Sequence, residues 1–80
     1  MGDPEYSVVL FQSTSGALRA EKLSKGAGLK VKLIPVPRHL SSDCGVCLRC
    51  ESADVHRVRS ILDAARVEFD GICPLQGTSQ

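Results

Sequence analysis

Tyr6-Ser7-Val8-Val9-Leu10-Phe11, followed at once by Gln12-Ser13-Thr14-Ser15-Gly16-Ala17, is the stretch that decides the fold. The first segment is rich in β-branched and aromatic residues and short enough to be a buried strand. The hydroxyl residues behind it are N-cap types, so the strand feeds a helix. Along that helix Ala17, Ala20, Leu23 and Ala27 recur at helical spacing until Gly26 and Gly28 end the pattern. Small residues on its inner side fit close packing against a sheet.

Working outward, Leu29 to Val36 alternates lysine with Leu29, Val31 and Leu33 before Pro35 and Pro37 forbid further central pairing. This is a second strand, placed at an edge. Arg38 to Asp43 is a polar connection, and Cys44 to Cys50, with Val46 and Leu48 alternating, reads as a third strand. Ser52 and Asp54 are cap candidates for a second helix carrying Val55, Val58, Leu62 and Ala65 along one stripe. Val67 to Leu75 is a last apolar segment, broken by Asp70-Gly71 and Pro74, and residues 76–80 are a polar tail. The order β-α-β-β-α-β predicts an α+β, ferredoxin-like sandwich: a four-stranded antiparallel sheet with two helices on one face. The other face is expected to be bare, and so to serve a homodimer or another partner.

The 80 residues make one domain, 1–80, with an ordered core of about 5–75. Hydrophobic residues at 42% and charged residues at 24% are ordinary globular values. No apolar run approaches the roughly 20 residues that cross a bilayer, so no membrane is expected. Residues 1–40 hold six bases against three acids and residues 41–80 hold four against six, which leaves a net charge of +1. That is too weak a basic stripe for nucleic acid. Arg19, Lys22, Lys25, Lys30 and Lys32 read as a solvated face. An RNA-recognition domain shares the element order but stacks bases on sheet aromatics, and this chain has two Phe, one Tyr and no Trp. The acidic start, Met1-Gly2-Asp3-Pro4-Glu5, has no basic region ahead of an apolar stretch, which points to the cytoplasm.

Chemistry concentrates in Cys44-Gly45-Val46-Cys47-Leu48-Arg49-Cys50. These cysteines are too close together for a framework of loop-closing disulfides. A zinc or iron–sulfur site could use Cys44, Cys47 and Cys50, with Cys73, His39 or His56 as a fourth ligand. A strand opposes this, because it turns Cys47 away from the other two, which lie about 20 Å apart. A thioredoxin-type site belongs at a helix N-terminus, and ferredoxin-like copper carriers place their cysteines after strand one, where this chain has Gln12 to Gly16. Cys44 is the thiol best placed for reaction. Arg38 and His39 favour its thiolate, Ser41 and Ser42 offer donors, Asp43 opposes, and Gly45 exposes its amide. Cys47, Cys50 and Cys73 read as core fillers, and His56 as an exposed helical histidine.

Ser13-Thr14, Ala17, Ala20-Glu21-Lys22-Leu23, then Ile34-Pro35-Val36-Pro37-Arg38, Ser41-Ser42 and Cys44-Gly45 resemble the small bacterial family of selenium/sulfur carrier protein-like domains. The resemblance runs from about Tyr6 to Gly71. It implies a carrier rather than a stand-alone enzyme, with no cofactor. Cys44 would hold sulfur or selenium as a persulfide or selenosulfide, in a loop shaped by Pro35, Pro37 and Arg38. A cysteine desulfurase or selenium-handling donor and an acceptor enzyme are the implied partners. Cys47 and Cys50 depart from the family pattern, which has a small residue and an apolar or aromatic one there. The metal-binding module and the dimeric interaction domain are the other expectations to be met by the structure.

Overall fold

The computed structural model describes residues 5–36 and 45–75. Its elements are β1 (Tyr6–Leu10), α1 (Thr14–Gly26), β2 (Val31–Pro35), β3 (Val46–Glu51), α2 (Val55–Ala64) and β4 (Gly71–Leu75), with a 3-10 turn at Ser52–Asp54 before α2. The strands form one antiparallel sheet in the order β2-β3-β1-β4. This is the ferredoxin-like arrangement, and β2 is at an edge as its prolines require.

β1 and β3 occupy the centre, which explains why Val8, Val9, Leu10 and Phe11 form an unbroken apolar run. A central strand has two faces to bury, so strict alternation disappears. On one face Val9, Phe11, Leu48 and Cys50 pack beneath the helices with Ala17, Ala20, Val58 and Leu62. On the other, Val8, Leu10 and Cys47 form a second cluster with Ile34, Val36, Cys73 and Leu75. The expected bare face is therefore corrected: Val8 and Cys47 are wholly buried and Leu10 nearly so. The centre of this face is closed to solvent, and its margins, with Lys32 exposed and Arg49, Cys73 and Leu75 half-buried, are the part that is accessible.

Ser13 caps α1, its hydroxyl accepting from the Gly16 amide at 3.3 Å. At the other end Gly28, at φ +86°, turns the chain so that the Gly28 and Leu29 amides donate to the carbonyls of Lys25 and Ser24. That left-handed position suits glycine. Ala17, Ala20 and Ser24 make the buried side of α1, whereas Ala27 is the exposed C-cap rather than a core residue. On α2, Val58 and Leu62 are fully buried, each contributing about 2 kcal/mol of transfer free energy.

Several details differ from expectation, β2 being Val31–Pro35 against an expected Leu29 to Val36. β3 begins at Val46 rather than Cys44, because its ladders end where Leu10 and Pro35 run out as partners. Ser52 and Asp54 do not cap α2 through their side chains. Ser52 instead ties the turn to β1 and the residue before it, by a 2.9 Å hydroxyl contact with Ser7 and by its amide donating to the Glu5 carbonyl. Asp70-Gly71 opens β4 instead of breaking it, the Asp70 amide donating to the Leu10 carbonyl. Pro74 is tolerated inside β4 because that strand is the other edge.

Ser24 is fully buried on α1 and its Oγ has no partner among the described residues. A buried hydroxyl in that state costs free energy, and alanine is the better helix former. Ser24→Ala is therefore expected to raise unfolding stability by about 1 kcal/mol. Chemical denaturation of the two proteins at matched pH measures the difference, and a destabilised variant would refute the assignment of that hydroxyl.

Candidate functional site

The end of the sheet at which β1 finishes is also where β2 finishes and β3 begins. There the Val36 amide donates to the Gly45 carbonyl at 3.2 Å, fixing the two feet of the segment 37–44 against each other. Arg38, Ser42 and Cys44, with Pro37, His39 and Ser41, lie outside the described residues. Gly45 is described. It is exposed, and a Cβ built on it meets nothing within 4 Å among the described residues. Among the described residues, then, no packing demand accounts for this glycine.

The remaining cysteines are parts of the sheet. Cys47 pairs with Leu10 on β1 and Ile34 on β2, and its Sγ lies 4.0 Å from the Pro35 carbonyl oxygen. Cys50 pairs with Ser7 and Val31 on the helix-covered face. Burial, and then the negative charge of Asp54, push its pKa from 9.0 to about 11, so near neutral pH it stays a protonated thiol. Cys73 is half-buried on β4, opposite Val8. The period of two in a strand thus sends Cys47 and Cys50 to opposite faces, Cα atoms about 10 Å apart. One ion cannot take both sulfurs while β3 is paired. Among the described residues no three His, Cys, Asp or Glu side chains converge as a metal-ligating group. His56 is exposed on α2, as its reading required.

The opposite end of the open face holds a cluster that the sequence reading dispersed. Lys32 stands directly across from Arg49, and the Arg49 guanidinium carbon sits 4.5 Å from the centre of the Tyr6 ring. That is within cation–π range. Lys25, Lys30, Lys32, Arg49, Tyr6 and Glu51 line one groove there. The lysines are exposed, as expected, but Arg49 is half-buried and joins them. Register alone brings it to Lys32, and no sequence pattern shows register.

No helix among the described residues is long and apolar enough to cross a membrane. The model of a family described as "Putative Se/S carrier protein-like" matches residues 5–74. No match emerged among curated proteins or among solved structures.

Two outcomes follow from the site's geometry. Because the folded pKa of Cys50 is raised, its contribution to stability is complete below about pH 9 and is lost as pH rises through about 11. Denaturation across that window is expected to show a fall of up to about 2 kcal/mol that Cys50→Ala flattens. An unchanged slope in the variant would refute the shift. Gly45→Ala is expected to leave stability within about 0.5 kcal/mol of wild type by the same measurement; a larger loss would mean that the foot is packed.

Proposed function

Since the chain belongs to the selenium/sulfur carrier protein-like family, we propose that it takes a sulfur or selenium atom onto Cys44, carries it as a persulfide or selenosulfide, and passes it to an acceptor enzyme. The family match over residues 5–74 is the observation that carries this reading. The cysteines of the sheet support it by their unsuitability. Cys50 is a buried thiol of raised pKa, Cys47 is buried in the floor of the open face, and Cys73 is half-buried. Cys44 belongs instead to the segment 37–44, whose feet Val36 and Gly45 meet at the end of the sheet where β2 finishes and β3 begins.

The exchange is a displacement at the outer atom. The Cys44 thiolate attacks the terminal sulfur of a persulfide on the donor, a cysteine desulfurase or selenium-handling enzyme; the bond to Cys44 forms as the donor's sulfur–sulfur bond breaks, and the donor leaves as a thiolate. An acceptor nucleophile then attacks the same outer atom and releases Cys44 as thiolate. No external oxidant or reductant is consumed in either step. Arg38 would favour the thiolate, and Ser42 and the Gly45 amide would donate to the sulfur. The protein is then a carrier of the cytoplasm rather than a stand-alone enzyme, and the open face would receive a second copy or a transfer partner.

Intact-mass measurement after incubation with a desulfurase and cysteine tests this. Wild type is expected to gain one sulfur per chain, Cys44→Ser to gain none, and Cys47→Ala to retain the gain. Labelling that persists in Cys44→Ser would overturn the assignment.

A further inference from the structure

We propose that the Lys32–Arg49 end of the open sheet face is a docking surface for a protein partner that presents carboxylates around an apolar contact. Antiparallel register sets Lys32 directly opposite Arg49 on one face, an arrangement of like charges that is destabilising unless an anion compensates. Among the described residues Lys30 and Lys32 have no ion pair, whereas Lys25 is engaged by Glu21 at 3.2 Å. Glu51 shares the groove and the face, two residues along β3 from Arg49 and across from Tyr6, but among the described residues it makes no ion pair with Lys30, Lys32 or Arg49, so one acid stands against three bases there. In a chain of net charge +1, this concentration of bases at one end of one face is a local feature.

The cluster is also ordered in advance. Stacking on Tyr6 holds the Arg49 guanidinium, so engaging a carboxylate there costs little further side-chain entropy. Half-buried Leu75 and Cys73 continue the face across β1, giving a charged rim beside an apolar contact with Tyr and Arg as anchors. A second copy is the poorer occupant. Face to face, it would set one Lys32 and Arg49 against another, with Glu51 as the only acid on that face among the described residues.

The test is fluorescence anisotropy with a short labelled peptide alternating glutamate and leucine, titrated with the full chain at low and at physiological salt. Saturable binding that weakens with salt is expected. The double variant Lys32→Glu/Arg49→Glu should bind at least about tenfold more weakly. Arg19→Glu/Lys22→Glu, which changes net charge equally on the exposed side of α1, should stay within about twofold. Lys32→Gln alone, at an exposed position, should lose about threefold and keeps the test readable if the double variant does not fold. Absence of binding at low salt, equal losses in the two double variants, or tighter binding of a single-stranded oligonucleotide would overturn the proposal. So would a concentration-dependent dimer in sedimentation that Lys32→Glu/Arg49→Glu abolishes. No cargo atom enters the measurement, so its failure leaves the loading of Cys44 untouched.

Discussion

The pairing of β1 with β3 is the constraint on which the rest of the structure depends. Val9 across from Leu48 and Leu10 across from Cys47 set which residues face the helices and which form the floor of the open face. A slip of one residue would exchange the two sets, turning Arg49 into the helical layer and Leu48 out of it. The helices add to a sheet already specified in this way. Their small inner residues, Ala17 and Ala20, leave room for Phe11 and Leu48, which are among the largest buried side chains of the core. The hydroxyl pair of Ser7 and Ser52 then locks the start of β1 to the turn before α2.

That same register governs the cysteines. Successive Cys-X-X-Cys spacings look like a ligand set in one dimension, yet a strand separates residues three apart onto different faces. Cys50 is carried into the helical layer, where loss of solvent and the charge of Asp54 hold it protonated. Cys47 is carried into the floor of the other face. Joining the two on one metal ion would require the central ladder to open, sacrificing the pairing that defines the domain. The proposed carrier reading asks nothing of Cys47 or Cys50 and so leaves this ladder intact.

Much of this was legible in the sequence, and what was not has a physical reason. The βαββαβ order, the edge position of β2 and the opposed directions of Cys47 and Cys50 follow from periodicity and proline chemistry, both local properties. The Ile34-Pro35-Val36-Pro37-Arg38 and Cys44-Gly45 motifs carried the family resemblance, which the match over residues 5–74 bears out. The start of β3 was misjudged because a strand ends where its neighbours end, and the lengths of β1 and β2 are not written in Cys44 or Gly45. The burial of Val8 and Leu10 was missed because a continuous apolar run in a central strand does not say how each face is covered. Lys32 beside Arg49 is a matter of cross-strand register, invisible to any single segment.

The placement of these features along β3 matters for transfer. Gly45, the foot of the cysteine-bearing segment, lies four residues before Arg49, at most about 13 Å away at strand rise. A partner held at Arg49 and Lys32 would therefore lie within one contact patch of the foot without covering it. Under the proposed transfer between a donor and an acceptor, that separation would leave the foot accessible to a second partner. Anchoring by carboxylates on exposed lysines is also screened by salt and easily released. Weak, off-centre and electrostatic docking suits a protein whose task is complete only when it leaves.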